Sequence, residues 1–305
     1  MSYFRSTAFK REKRGFNSFN VRNRGEVATV ERDLFEAIYK TDLIVEEKKG
    51  SAWKIDWQRS SRTDSGVSAE GQLVSFHGKL EEGKEEEIRN KLNESLPPNI
   101  RIWKVTKMTK SFNARKHCGG RVYNYLLPTH LFSTLFPEGK LDRSLLVEKL
   151  NKLLSFYVGT HKFHNFTEEK NSRDASAKRF IKSFSCECPL LLEGMEFIPL
   201  RVEGQSFLLH QIRRMVGFVV AVLFFKMEDQ MGKIFAGLKS AHRIATPTAP
   251  SYPLLLVSCL YQDYLSQWKD KQLSLSLENL QQEVTQFRNQ TILTSMAKKE
   301  KDFKM

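Results

Sequence analysis

The sequence predicts an α+β fold: two lobes sharing a mainly antiparallel sheet, with helices packed on the outer faces and a basic central cleft. Three observations lead there. Stretches with strand alternation are dealt out between isolated stretches of helical spacing. No strand is followed by a Gly-rich phosphate turn, so the dinucleotide-binding fingerprint of doubly wound parallel sheets is absent. The chain has 305 residues, 40% of them hydrophobic, enough for a real core and, at this length, for more than one lobe. The expected divisions are a basic N-terminal arm at 1–25, an N-terminal lobe at 26–115, a C-terminal lobe at 116–265, and an amphipathic helix with a charged tail at 266–305.

Taken in order, residues 1–25 are rich in Arg and Lys. They read as a mobile basic arm, with a transit peptide as the alternative and no secretory hydrophobic region. Thr29 precedes Val30, Leu34, Ala37 and Ile38, with Glu31 in the first turn, which predicts a capped helix reaching about Tyr39. Residues 71–76 read as a strand with Val74 and Phe76 on one face. Ile88, Leu92 and Leu96 form the stripe of a helix stopped by Pro97 and Pro98. Strands are expected at 102–105 and 122–127, then a helix on Leu146, Leu150, Leu153, Leu154 and Tyr157, ended by Gly159. The polar stretch 167–179 reads as a loop, and strands resume near 183–186 and 197–202. A helix is expected over 207–225, its second half buried, and another on Leu273, Leu277, Leu280, Val284 and Phe287, followed by the charged tail 298–305.

Charge narrows the class of function. There are 49 Lys and Arg against 35 Asp and Glu, a net charge of +14, which concentrates polyanions at the surface and makes nucleic acid the leading partner. The rival is an anionic membrane. The longest apolar run, residues 215–225, has 11 residues, against the ~20 needed to cross a bilayer, and the chain reads as soluble. The four cysteines, at 118, 186, 188 and 259, include no C-x-x-C pair, so neither a disulfide framework nor a thiolate zinc site is indicated.

Three segments carry groups suited to chemistry. Arg62, Thr63, Asp64, Ser65 and Gly66 place Asp64 on a loop at the start of a strand. Asp-x-Gly is also ordinary turn chemistry. An aspartic protease needs two such carboxylates, and a single triplet would require a dimer. Arg121, Tyr123 and Tyr125 share one face of a strand, an aromatic beside cations that could stack a base, or a Tyr pair packed within a sheet. His210, Arg213, Arg214 and Gly217 fall at helical spacing on one face. An Arg on so apolar a helix wants an anion nearby, unless it sits at the exposed start and reaches water. His161 and His164 could be metal ligands, but the lack of clustered Cys or carboxylate spacing favours loop packing.

Together the segments are recognisable. Residues 62–76, RTDSGVSAEGQLVSF, resemble the active-site stretch of the TruA-type tRNA pseudouridine synthases. FNAR at 112–115, RVYNYLLP at 121–128, GTHKFHNFT at 159–167 and GQSFLLHQIRRMVG at 204–217 resemble family blocks in family order, most similar to the eukaryotic branch called pseudouridine synthase one. The resemblance runs from about residue 26 to residue 260. It implies Asp64 as the catalytic aspartate, Tyr123 as the aromatic stacked on the target base and Arg213 as the cation held against the aspartate. Leu254 becomes the apolar pocket wall, and Arg62 and Arg115 phosphate or strand-displacing contacts; Arg121 and His210 join the substrate-binding set. The chain departs from the family in three places: the opening strand and turn are degenerate at 9–23, Pro253 replaces the glycine before the pocket leucine, and 168–177 is an insertion.

The implied reaction breaks the N1–C1′ bond, turns the uracil and rejoins it through C5. It needs no cofactor and no metal. The expected partners are tRNA and, as a further class, other structured RNA. A non-catalytic RNA-binding relative is argued against by the joint presence of Arg62, Asp64, Tyr123 and Arg213; a dimeric aspartic hydrolase by the lone triplet and the basic balance. The resemblance and the basic termini point to the nucleus, with the mitochondrion or cytoplasm as alternatives.

Overall fold

A computed structural model of the chain describes residues 2–8, 29–49, 52–135, 141–268 and 273–304. The chain divides into two compact units, Met1–Gly119 with Leu255–Ser295, and Gly120–Leu254 with Met296–Met305.

The first unit opens with β1 (Ser2–Ala8), inside the segment expected to be a basic arm. That expectation is corrected there: β1 pairs antiparallel with two strands at once, so ladder hydrogen bonds on both edges hold it extended. The degenerate turn expected at 9–23 lies outside the described residues. α1 (Val30–Tyr39) starts where predicted, with the Thr29 hydroxyl accepting from the Arg32 N–H at 3.1 Å and Glu31 and Asp33 at the positive end of the helix. β2 (Gln58–Arg59), β3 (Ser68–Phe76), α2 (Glu85–Ser95) and β4 (Ile100–Lys107) follow. The strand order is β4-β1-β3. Strand alternation then sorts the core. Val74 and Phe76 point into a cluster with Leu34, Ile38, Leu92 and Ile102, while Leu73 points into another with Phe112, Tyr261 and Tyr264. Both faces of β3 are therefore dry, and its burial is nearly continuous along its length.

The second unit contains β5 (Gly120–Pro128), α3 (Arg143–Ser155), β6 (Gly159–Lys162), β7 (Lys178–Cys186), β8 (Leu190–Leu192), β9 (Met195–Gly204), α4 (Gln211–Phe224) and α5 (Met231–Lys239). Its sheet runs β5-β9-β7-β6, antiparallel throughout, with β8 on β9. The predicted stripe of α3 is buried, and Tyr157, just beyond it, packs edge-on against Phe166 and Phe235. Gly159 does not end that helix. The helix stops at Ser155, and Gly159 takes a φ of +100° at the entry to β6.

α4 also differs from expectation. It starts at Gln211, four residues late, because His210 adopts a left-handed φ of 60° and the Gln211 side chain accepts from the Leu208 N–H at 2.8 Å. The burial expected of its second half is only a stripe: Val219, Val222 and Leu223 are buried, Phe218, Val220 and Ala221 are half-buried, and Phe224 and Phe225 are exposed.

β10 (Leu254–Leu260) returns to the first unit and pairs parallel with β3 through Leu255 and Leu256. α6 (Gln262–Ser266), α7 (Gln281–Phe287), a π-helical segment (Arg288–Leu293) and α8 (Thr294–Lys304) complete the chain. The C-terminal helix expected from Leu273 begins later than the apolar spacing suggests. The Ser274 and Ser276 hydroxyls accept from the N–H groups of Ser276 and Glu278, local bonds that compete with the helix. The charged tail is helical as far as Lys304. The secondary structure is thus α+β with mainly antiparallel pairing, as predicted. Among the described residues no helix is long and apolar enough to cross a membrane.

Candidate active site

In the first unit, the sequence around Asp64 folds into a short loop pinned at both ends. On one side the Gln72 carboxamide accepts from the Ser60 hydroxyl at 2.6 Å and donates to the Ser61 carbonyl at 2.7 Å. On the other, the Val67 N–H donates to the Asp64 carbonyl at 3.1 Å, a turn that Gly66 closes with a φ of +93°. A side chain at 66 would be strained in that backbone conformation. Asp64 is half-buried and Arg62 exposed, both before the first residue of β3, so the loop rests on a rigid strand without being sunk in the core.

Arg115 lies on a second turn of the same unit. The Asn113 carboxamide accepts from the Arg115 and Lys116 N–H groups at 3.0 and 2.9 Å, the Ala114 N–H donates to the Ser75 hydroxyl, and the Tyr261 hydroxyl donates to the Ala114 carbonyl at 2.6 Å. Arg115 itself is exposed on this anchored turn. Beneath it His117 Nδ1 accepts from the Asn113 N–H at 3.0 Å, and its ring stacks on Tyr264 at 4.5 Å. Burial and the neighbouring Lys116 hold the His117 pKa below its usual value.

In the second unit, Tyr123 and Tyr125 stand on β5 opposite Val202 and Leu200 and are both buried. Phe207 meets the Tyr123 ring edge-on at a centroid distance of 5.4 Å. Arg121 donates to the Gln205 carbonyl at 2.8 Å, which ties the start of β5 to the same segment. Burial drives the Tyr125 hydroxyl well above its usual pKa, Tyr252 and Glu300 push it the same way, and the Arg213 guanidinium opposes them. The Arg213 charge is thus felt at the Tyr125 hydroxyl.

Arg213 sits in the first turn of α4, half-buried. Its Nε donates to the Ala249 carbonyl at 2.8 Å while the Ala249 N–H donates to the Arg213 carbonyl at 3.1 Å. This reciprocal pair fixes the first part of the side chain. The chain at 247–249 comes so close to α4 that a Cβ on Gly217 would lie 2.6 Å from the Pro247 carbonyl oxygen. Arg214 is directed elsewhere, buried, with its guanidinium on the Thr246 carbonyl at 3.1 Å and on the Glu168 carboxylate. His210 is half-buried at the left-handed turn before α4, so the helical face that the spacing gave it with Arg213 does not exist. Leu254 is buried at the start of β10, and the Pro253 carbonyl accepts from the Leu126 N–H at 3.0 Å, so the proline leaves a regular path into the strand.

The second unit thus gathers Tyr123, Tyr125, Phe207 and Arg213, with Arg121 tied to Gln205, while the first presents Arg62, Asp64 and Arg115 on two anchored turns. Four features escaped the sequence: Phe207 against Tyr123, the 246–249 strap, the Glu168–Arg214 pair and the Glu300–Tyr252 contact. His161 stands on β6, not in a loop, with its Nε2 2.9 Å from the Val158 carbonyl, and His164 is buried in the short turn after that strand. Among the described residues no group of three His, Cys, Asp or Glu could hold a metal ion.

A family model described as tRNA pseudouridine synthase matches residues 154–262, a stretch that includes Arg213 and Leu254. The chain is 36% identical over 280 residues to the Pseudouridylate synthase 1 homolog of Mus musculus, covering 90% of this chain and 64% of that protein. The Homo sapiens protein of the same name matches with the same identity and coverage. The tRNA pseudouridine synthase 1 of Yarrowia lipolytica is 29% identical over 320 residues, covering 77% of this chain and 60% of that protein. The chain therefore spans slightly less than two thirds of the length of the curated relatives it matches.

Proposed function

We propose that this chain, a relative of the TruA-type tRNA pseudouridine synthases, isomerises uridine to pseudouridine in tRNA. The observation that carries the proposal is the likeness at 36% identity along 90% of the chain, a stretch too long to come from a borrowed binding module. The local geometry is suited to the same chemistry.

The reaction demands three things of the protein. It needs a carboxylate that can attack C1′ or remove a ribose proton while staying ionised in a largely dry site, a role we assign to Asp64. It needs a positive charge that keeps such a carboxylate anionic, a role we assign to Arg213 from the family resemblance. It needs a surface that holds the detached uracil while it turns, the role of Tyr123, whose ring is braced by Phe207; stacking of this kind contributes ~1–3 kcal/mol per base. As the C5–C1′ bond forms, C5 loses its proton and N1 gains one, so the overall change is an isomerisation with no redox step. Leu254 forms the apolar wall. Arg62, Arg115 and Arg121 contact phosphates, which offset the few kcal/mol needed to flip a uridine out of folded RNA. Structured RNAs other than tRNA are a second substrate class in this proposal, and the nucleus is the proposed compartment, with the mitochondrion or cytoplasm as alternatives.

The test is release of tritium from tRNA carrying C5-labelled uridine. The wild-type chain should release label and Asp64→Ala should not, while both bind tRNA. Release by Asp64→Ala at the wild-type rate would overturn the assignment of the carboxylate. No release by the wild-type chain would overturn the function.

A further inference from the structure

The C-terminal helix lies outside the matched family stretch, yet from Met296 onward it belongs to the second unit. Met296 and Ala297 are buried there, and so is Glu300, at 6% exposure. A carboxylate is seldom buried without partners. Glu300 has two: the Tyr252 hydroxyl donates to its Oε2, and His130 Nε2 lies 3.5 Å from its Oε1. Phe303, one turn on, covers the Tyr252 ring at 5.9 Å. The contact therefore has a charged acceptor, a donor and an apolar cover.

Tyr252 occupies a strategic place. It lies inside the turn closed by the Leu254 N–H on the Ser251 carbonyl at 3.2 Å, and the next residue, Pro253, accepts from the Leu126 N–H of β5. Whatever holds Tyr252 also holds the approach to Leu254. After burial itself, Tyr252 and Glu300 both push the Tyr125 hydroxyl pKa up, which places Glu300 in the electrostatic surroundings of the tyrosine face.

We infer that Glu300 is a positioning residue for the pocket of the second unit: its buried carboxylate grips the Tyr252 hydroxyl and so sets the turn that delivers Leu254 to the edge of β5. The inference rests on the proposed role of Leu254 as the pocket wall. Glu300 touches no substrate and acts through Tyr252.

The experiment compares the wild-type chain with Glu300→Ala, Glu300→Gln and Tyr252→Phe. Two readouts are taken: hydrogen exchange of the Leu126 and Leu254 amides, and single-turnover tritium release at saturating tRNA alongside the tRNA Kd. Glu300→Ala should speed exchange at both amides and slow turnover about tenfold, the effect of losing one buried charge-assisted hydrogen bond, with less than about twofold change in Kd. Tyr252→Phe should act in the same direction. Glu300→Gln, whose carboxamide oxygen still accepts from Tyr252, should restore both readouts. Unchanged exchange in Glu300→Ala overturns the inference, as does a Glu300→Gln variant as damaged as Glu300→Ala. Should Glu300→Ala fail to fold, Tyr252→Phe and Glu300→Gln decide by the same criteria. The exchange readout needs no activity, so an inactive wild-type chain would sink the proposed function while leaving the grip on Tyr252 decided by exchange alone.

Discussion

Gly217→Ala adds one methyl group, and the structure indicates where it goes. The new Cβ would stand 2.6 Å from the Pro247 carbonyl oxygen, 3.0 Å from the Ala249 nitrogen and 3.1 Å from the Pro247 carbonyl carbon. All three are backbone atoms, so no flexible side chain can swing aside, and the 247–249 strap must retreat from α4. Overpacking of this kind costs ~1–3 kcal/mol, which would appear as a lower melting temperature. The strap also carries the Ala249 carbonyl that accepts from Arg213 Nε at 2.8 Å. A retreat of several tenths of an ångström takes that bond towards the end of the useful range and releases the guanidinium. Loss of one positioned bond to a charged group is worth ~1.5–3 kcal/mol, so single-turnover tritium release should fall about ten- to a hundredfold. Binding of tRNA, assigned in the proposed function to phosphate contacts elsewhere, should barely change. The paired assay is thermal melting by circular dichroism and label release at saturating tRNA. A Gly217→Ala chain that melts and turns over like the wild type would show that the close approach constrains nothing.

Further outcomes follow from charge and from one histidine. Affinity for tRNA should fall linearly on a log-log plot against salt, by ~0.7–0.9 per phosphate neutralised, and Arg62→Ala, Arg115→Ala and Arg121→Ala should each lower the slope by about one such step; an unchanged slope in all three would remove them from the phosphate contacts. His117 has a folded pKa below its unfolded value because of burial and Lys116, so the unfolded chain takes up the proton first. Its contribution to stability is whole above the unfolded pKa and declines as pH falls from there towards the depressed folded value, where the Asn113 N–H loses its acceptor. A His117→Gln chain should show a flatter loss of melting temperature over that window, and an NMR titration placing the His117 midpoint at or above that of an exposed histidine would contradict the assignment.

How much of this was legible in the sequence depended on the distance over which each feature is encoded. α1 announced itself through Thr29, Glu31 and its apolar spacing, and α2 through Ile88, Leu92 and the prolines at 97 and 98, because caps and amphipathic stripes are local. β1 was missed. Its extended form depends on β3 and β4, each dozens of residues away. The late start of α4 turns on a left-handed histidine, a conformation that no spacing rule flags. The site divides in the same way. Asp64 on its turn and Tyr123 on its strand could be read from neighbouring letters. The partners that hold the site are separated in sequence by 36 residues for Arg213 and Ala249, 46 for Arg214 and Glu168, and 48 for Tyr252 and Glu300, and such pairs leave no periodic trace.

Arg213 and Arg214 bring that division to a single peptide bond. They are adjacent on one helix, so their side chains leave it about a hundred degrees apart. The structure gives one a half-buried place on the Ala249 carbonyl and the other a buried anchor on Thr246 and Glu168. Lysine keeps the charge of each but has a single nitrogen and no planar fork. Arg213→Lys should therefore stay folded and bind tRNA normally while label release falls, because its ammonium cannot satisfy Ala249 and still present a charge beyond it. Arg214→Lys should do the opposite. It cannot reach both the Thr246 carbonyl and Glu168, so the melting temperature should drop, yet Gly217 and the backbone bond from Ala249 still hold the strap. Release per folded molecule should then stay within about threefold of wild type, under one kcal/mol of barrier. If the two variants lost turnover alike at unchanged stability, the two arginines would share one task and the partition drawn from their hydrogen bonds would be wrong.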